Sequence, residues 1–201
     1  MRLRRLALED TMRRPRLTSS VIFFLFLLST VWTVLVITSP LMVPKGTLRD
    51  LSGTVGAHDN DAQIQGLPAL PHAMYWIGDA ECHQIAERSY FLNGNEMPFC
   101  ARDLGLFLGL TAGFGLVSFY RYKIHPFFAL LGLVPMGIDG TIQLVTDYES
   151  NNPVRLATGI IAGLACALLI VLFVFAIQED RQRPKPVPVE PPAESPQETV
   201  V

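Results

Sequence analysis

The sequence is poor in charged residues and in cysteine, and it has no excess of charge of one sign. Only 17% of its 201 residues are charged, with 16 Lys and Arg against 18 Asp and Glu. This near balance leaves no basic field that would attract nucleic acid, and three cysteines are too few for a disulfide-dense secreted scaffold. By contrast, 50% of the chain is hydrophobic, which indicates a small integral membrane protein rather than a soluble domain.

Four long apolar segments predict four transmembrane helices. They cover residues 21–39, 104–120, 126–146 and 156–177. The length of each segment is close to that of a helix that crosses a hydrocarbon core of roughly 30 Å, which is about 20 residues. The expected fold is therefore all-α, with the last three helices forming one transmembrane module over residues 104–177.

The basic residues are unevenly distributed around these spans. Eleven of the 16 lie before the first span, between the second and third, or after the fourth. Because basic residues stay on the cytoplasmic side, we predict a multi-pass protein of the cell membrane with both termini in the cytoplasm. The first span is expected to be an uncleaved anchor, since it is longer than the apolar region of a signal peptide and lacks an Ala-x-Ala site, although cleavage stays open.

Three segments lie outside the predicted spans. Residues 1–20 form an Arg-rich cytoplasmic N-terminus, and residues 178–201 form a Pro-rich cytoplasmic tail that is expected to be disordered, with an unknown partner. Residues 40–103 form an extracytoplasmic loop. Its first part, up to about residue 65, is predicted to be mobile. Its second part is expected to lie on the membrane surface because it is rich in aromatic residues, namely Tyr75, Trp76, Tyr90, Phe91 and Phe99.

Two local patterns predict structure within this loop. Asp79 is interpreted as the N-cap of a short surface helix that runs to about residue 89. Asn93-Gly94 predicts a tight hairpin, since both residue types accept positive φ. The reversal would bring Cys100 towards Cys82.

The first candidate site consists of Cys82, His83, Cys100 and Asp103. Thiolate, imidazole and carboxylate are ligands that suit zinc or a related transition metal, although the spacing is not that of a zinc finger. A structural Cys82–Cys100 disulfide is the main alternative, because an extracytoplasmic compartment permits it. A redox-active pair and two free thiols are further alternatives.

A polar cavity is the second candidate. Asp139 lies inside the third span, where an ionised carboxylate is costly, and Gln143 and Asp147 follow at four-residue steps that would place them on one helical face. The alternative is a buried Asp139 that pairs with an arginine and serves helix packing alone. The other predicted members of the cavity are Arg88, Arg102, Glu149 and Arg155, whose guanidinium groups could hold an anion.

Small residues recur every four positions in two of the spans. The second span contains Gly105, Gly109 and Gly113, and the fourth contains Gly159, Gly163 and Ala167. Such faces let transmembrane helices approach closely. They predict tight helix packing, and the same faces are a candidate interface for a homo-oligomer.

A series of short motifs runs in order from about residue 75 to residue 167. It comprises Cys82-His83-Gln84, Glu87-Arg88-Ser89, Cys100-Ala101-Arg102, Gly105, Pro135, Asp139-Gly140, Gln143, Glu149-Ser150-Asn151-Asn152, Arg155 and Gly159. The series resembles the family of small predicted bacterial and archaeal membrane proteins called domain of unknown function 2085. The resemblance implies that the cysteines and the Asp139 face belong to one module. Similar members often carry a further cysteine where this chain has Asp103, and this departure weighs against a CxxC redox pair.

The sequence thus predicts an integral membrane protein, embedded in the lipid bilayer, with a polar, metal-binding site at the extracytoplasmic membrane surface. Whether it is an enzyme is left open; in an enzyme, a metal-bound water would be activated beside the arginines. One alternative is a non-catalytic scaffold or interaction protein stapled by a disulfide. Another is a small oligomeric transporter or channel that uses the Asp139 face.

Overall fold

The computed structural model describes residues 19–51, 55–120 and 125–182. The predictions for the Arg-rich N-terminus up to residue 18, for the basic link at 121–124 and for the Pro-rich tail from residue 183 lie outside these residues. The described part contains the helices α1 (Ser20–Thr38), α2 (Asp61–Ile64), α3 (Ala69–Glu81), α4 (Ala101–Phe119), α5 (Pro126–Leu131), α6 (Val134–Val145) and α7 (Asn152–Gln182), and the strands β1 (Phe91–Leu92) and β2 (Asn95–Glu96).

Four segments of the structure are long and apolar enough to cross a membrane. They are Ser20–Met42, Ala101–Phe119, Pro126–Val145 and Asn152–Arg181. They coincide with the four predicted spans and confirm the all-α membrane fold. The third consists of two helices, because α5 ends just before Gly132 and α6 begins at Val134. Pro135 occupies the first turn of α6, where its missing N–H is tolerated, but it would interrupt one continuous helix.

The two ends of the helical bundle differ in what they contain. The ring of Phe26 lies 5.9 Å from that of Phe119, and Thr33 Oγ1 lies 3.1 Å from Thr111 Oγ1, so α1 and α4 are antiparallel. At one end, the Gln178 side chain in α7 donates a hydrogen bond to the Ser19 hydroxyl before α1. The long loop at 40–100 and the turn after α6 therefore lie at the opposite end, which we call the loop end.

Helices α4 and α7 pack in parallel along their small residues. A Cβ added at Gly109 would overlap the carbonyl oxygen of Ile160, and one added at Gly163 would overlap that of Leu106. The predicted close packing is therefore confirmed, and it joins two helices of one chain. Because these faces already cover each other, a homo-oligomer stays a prediction that would need another surface.

The first part of the long loop was predicted to be mobile, but its described residues, 40–51 and 55–65, contribute side chains to a packed core. Its apolar side chains form a small core around the fully buried Tyr75, consisting of Val43, Leu48, Leu51 and Ile64. The spacing of these residues gave no periodic signal, because they come from irregular backbone and from the short helix α2 rather than from one long helix. Tyr75 and Phe99 were expected at the membrane surface but are buried, whereas Trp76 and Phe91 are 45% exposed.

The short helix predicted from Asp79 to about residue 89 is wrong apart from a single 3-10 turn at Ala86–Arg88, whereas the hairpin is confirmed. Helix α3 ends at Glu81, close to where that helix was expected to begin. Asp79 does not cap a helix, because its carboxylate accepts hydrogen bonds from the backbone and side chain of Asn60, and it is 1% exposed. Strands β1 and β2 form the predicted hairpin, with φ of 54° at Asn93 and 69° at Gly94.

Glu96 in β2 is a fully buried carboxyl group that anchors the loop. Its Oε2 atom accepts the backbone N–H of Leu51 at 3.2 Å, and its own carbonyl accepts the hydroxyl of Tyr75. Within the described residues, Oε1 has no hydrogen-bond partner. Burial raises the pKa of Glu96 to about 7, more than the interactions with the Ser89 side chain and the Leu51 N–H lower it.

We expect the loop to lose stability as the pH rises from about 4.5 to about 7. Over this window the folded state retains the proton of Glu96 while the unfolded state, with a pKa near 4.5, releases it. Each unit of pKa difference is worth at most about 1.4 kcal/mol. Unfolding of the detergent-solubilised protein followed against pH should show this decline, and Glu96→Gln should remove it. An unchanged slope in the glutamine variant would contradict the assignment.

Candidate functional site

A polar cavity of about 210 Å³ lies at the loop end, between the long loop and helices α4, α6 and α7. It is lined by Glu81, Cys82, His83, Arg88, Cys100, Arg102, Asp103, Gln143 and Arg155. All of these except Glu81 are predicted site residues. Glu81 directly precedes Cys82, but a glutamate next to a cysteine is too common a pattern to mark it.

Three features of the loop bring the two cysteines together. Cys82 follows α3 in extended backbone, and Cys100 is the N-cap residue of α4. Between them, the buried side chain of Gln84 donates a hydrogen bond of 2.9 Å to the carbonyl oxygen of Pro98. Gly78 in α3 allows this approach, because a Cβ there would overlap the same oxygen. As a result, the backbone N–H of Cys100 lies 3.3 Å from Cys82 Sγ.

Three potential ligand groups meet at the cavity wall. The Sγ atoms of Cys82 and Cys100 and a carboxylate oxygen of Asp103 all lie within 4.8 Å of one another. Asp103 is one turn after Cys100 in α4, and its Oδ2 atom lies 3.3 Å from Cys100 Sγ. The structure leaves His83 outside this cluster: its exposed side chain lines the cavity instead.

Both cysteines of this cluster are free thiols in the structure. The hydrogen bond from the Cys82 thiol lowers the pKa of Cys100. The same hydrogen bond and burial raise the pKa of Cys82. The two thiols therefore differ in acidity, and Cys100 is the more acidic of the pair.

Asp139 does not line the cavity, but it binds Arg102, which does. The Nη2 atom of Arg102 donates to Asp139 Oδ2 at 2.5 Å and to Gln143 Oε1 at 2.7 Å. Asp139 is 7% exposed and forms an ion pair, which was the structural alternative to a pore wall. Asp147 is not on the same face, because α6 ends at Val145, and its exposed side chain does not line the cavity.

The other two arginines differ in their partners. Arg88 pairs with Glu149 at 2.9 Å, and this guanidinium lowers the pKa of the exposed Glu149 carboxyl. Glu149 itself does not line the cavity. Arg155 is only 3% exposed, and its Nη1 atom makes long contacts of 3.5 Å to the Glu87 carbonyl and 3.4 Å to Asn152 Oδ1. In the described part of the chain, no carboxylate lies within 4.0 Å of Arg155.

A second ligand cluster was missed by the sequence analysis. His58, Asp61 and Asp79 also place ligand atoms within 4.8 Å of one another. They come from a segment predicted to be mobile and from a residue assigned to a helix cap. The ring of His58 stacks on Trp76 at 4.2 Å, and Asp79 already accepts hydrogen bonds from Asn60, so these contacts are sufficient to explain the cluster structurally.

Comparison with known proteins agrees with the motif series. Residues 82–169 match the family described as "Predicted membrane protein (DUF2085)". An uncharacterized protein of Methanocaldococcus jannaschii is 35% identical over 107 residues, which are 51% of this chain and 69% of that protein. The chain belongs to this family.

A second relative supports the same assignment. An uncharacterized protein of Methanothermobacter thermautotrophicus is 36% identical over 91 residues, which are 44% of this chain and 82% of that protein. No solved structure matches the chain. The DUF2085 match begins at Cys82 and ends within α7, so every cavity-lining residue except Glu81 lies inside the family region.

Proposed function

We propose that this DUF2085 protein binds a transition metal such as zinc through Cys82, Cys100 and Asp103. The observation that supports this proposal is the meeting of two thiols and a carboxylate within 4.8 Å at the wall of a polar cavity. Thiolate and carboxylate oxygen both bind zinc, and three protein ligands with a fourth position open are typical of catalytic rather than structural zinc sites. The fourth position would face the cavity, which His83 also lines.

The site lies at the loop end, so the orientation of the chain decides on which side of the membrane it would act. We infer that this end is extracytoplasmic and that both termini are cytoplasmic, because the basic residues of the sequence concentrate at the other end. A metal with an open position lowers the pKa of a bound water and polarises an adjacent carbonyl or phosphoryl oxygen. The chain would hold the second reactant beside it with the cavity arginines.

Metal binding is tested with the full chain purified in detergent and loaded with Co²⁺ as a spectroscopic substitute for zinc. We expect one metal ion per chain by elemental analysis and a sulfur-to-cobalt charge-transfer band. Cys82→Ser and Cys100→Ser should each abolish the band, since the remaining ligands are too few for tight binding. Asp103→Asn should weaken binding but retain the band.

The third cysteine offers a matched control. Cys166 lies in α7 and does not line the cavity, so Cys166→Ser should leave both the metal content and the band unchanged. Equal metal content in all three serine variants would contradict the proposal. If Cys82 and Cys100 react with an alkylating agent only after reduction, they form a disulfide, and the scaffold alternative takes its place. Loss of the metal in His83→Ala would identify His83 as the fourth ligand.

A further inference from the structure

We propose that the cavity binds a phosphate group through Arg88, Arg102 and Arg155. The three guanidinium groups come from three different parts of the chain, namely the loop, the start of α4 and the start of α7. All three line the same cavity of about 210 Å³. The guanidinium donors are not ligands of the metal site, so phosphate binding and metal binding can each be lost without the other.

Arg155 is a buried cation in the cavity wall. Its side chain is buried with 3% exposure, and no carboxylate lies within 4.0 Å of it in the residues that the structure describes. Its protein contacts are two long hydrogen bonds to neutral oxygens, at 3.5 Å and 3.4 Å. A buried charge of this kind is costly unless it is paired. An anion in the cavity would supply the missing partner.

Two further donors at the cavity lack acceptors. The Nε atom of Arg102 and the Nε2 atom of Gln143 are buried, and neither has a hydrogen-bond partner within the described residues. Arg102 uses Nη2 for both Asp139 and Gln143, so its remaining N–H groups are not needed for the ion pair. Both residues line the cavity, but the two atoms themselves are closed to solvent, so a ligand oxygen would reach them only after a small side-chain movement.

The small size of the cavity and the three arginines in its wall, which also contains Glu81 and Asp103, favour a phosphate group. Its volume is below the range of about 300–1,000 Å³ that is typical of pockets for drug-sized ligands, so the bound group must be small. A phosphate offers several acceptor oxygens and matches the planar fork of arginine bidentately. At a membrane surface, that phosphate is either a free ion or ester, or the headgroup of a phospholipid.

The test titrates inorganic phosphate into the full chain after chelator treatment, in detergent free of phospholipid and at constant ionic strength. Calorimetry and the shift in melting temperature should both show saturable binding. Arg88→Gln should weaken it about tenfold, since a charge-assisted hydrogen bond is lost. This variant should fold, because the Arg88–Glu149 pair lies at the surface, with 38% and 65% of the two side chains exposed. Arg155→Lys keeps the charge but loses the fork, and should weaken binding several-fold.

The control variant is Arg49→Gln, which removes an exposed arginine that does not line the cavity and should leave the phosphate affinity unchanged. A phosphatidic acid dispersed in the same detergent, compared with the matching diacylglycerol, identifies the source of the phosphate. Competition by phosphatidic acid supports a lipid headgroup, and its failure to compete supports a free phosphate. The proposal is overturned if neither phosphate compound binds the wild-type protein, or if Arg88→Gln and Arg155→Lys both bind as tightly as Arg49→Gln.

Discussion

Replacing Arg102 with methionine should destabilise the helical bundle by about 3–5 kcal/mol. Asp139 is 7% exposed inside the third span, and Arg102 is its ion-pair partner. Removing one member of a buried pair leaves the other charge without compensation, which is among the costliest single changes in a protein interior. The variant would also lose the hydrogen bond to Gln143. The free energy of unfolding in detergent micelles measures this loss.

The double variant Arg102→Met/Asp139→Asn provides the control for this prediction. Because an apolar residue beside a neutral amide leaves no unpaired charge, we expect it to recover most of the lost stability. Measurements should be made without phosphate, so that the cavity ligand does not contribute. If the effects of Arg102→Met and Asp139→Asn on the free energy of unfolding are fully additive, the two side chains act independently and do not form a stabilising ion pair.

Replacing Gly163 with alanine should separate α4 from α7 and cost about 1–3 kcal/mol or more. A Cβ at this position would overlap the carbonyl oxygen of Leu106 and would lie 3.0 Å from Gly109 Cα. Both are atoms of the backbone of α4, which cannot rotate away as a side chain can. Thermal unfolding in detergent, with the fraction of folded protein after purification, provides the measurement.

Gly137→Ala is the matched control for this substitution. Gly137 lies in the interior of α6, and a Cβ there meets no atom within 4 Å. The same chemical change should therefore be neutral or slightly stabilising at Gly137, because alanine has the higher helix propensity. If Gly163→Ala and Gly137→Ala unfold alike, the close contact between α4 and α7 is not what holds these two helices together.

The candidate site was partly accessible to sequence reasoning. The two cysteines, His83 and Asp103 were singled out as metal-ligand types, Gln143 by its helical spacing from Asp139, and the three arginines as possible anion holders. Together these are eight of the nine cavity-lining residues. The set also contained Asp139, Asp147 and Glu149, which do not line the cavity. Asp147 was included because the helical periodicity was extended past Val145. Asp139 and Glu149 were included because a sequence does not show which charged groups pair with each other and which remain free for a ligand.

The loop shows most clearly why local patterns fail. An aspartate followed by helix-forming residues satisfies the rule for an N-cap, yet Asp79 lies near the end of α3 and its carboxylate is taken by Asn60. The preference of a residue for a cap is worth about 1 kcal/mol, and burial of neighbouring apolar side chains exceeds it. Conversely, Asn93-Gly94 was interpreted correctly because positive φ is a property of the backbone itself.

The sequence by itself determined the four spans, the hairpin, the glycine faces and the family. Each depends on a property of neighbouring residues: the length of an apolar run, the tolerance of positive φ, or the size of side chains one turn apart. The tertiary structure alone decided which charges pair and which groups stay unpaired. The contact of Cys100 with Cys82 spans 18 positions, that of Arg102 with Asp139 spans 37, and that of Arg88 with Glu149 spans 61. Several oppositely charged partners are available to each arginine in the sequence, and the packing of the helices selects among them.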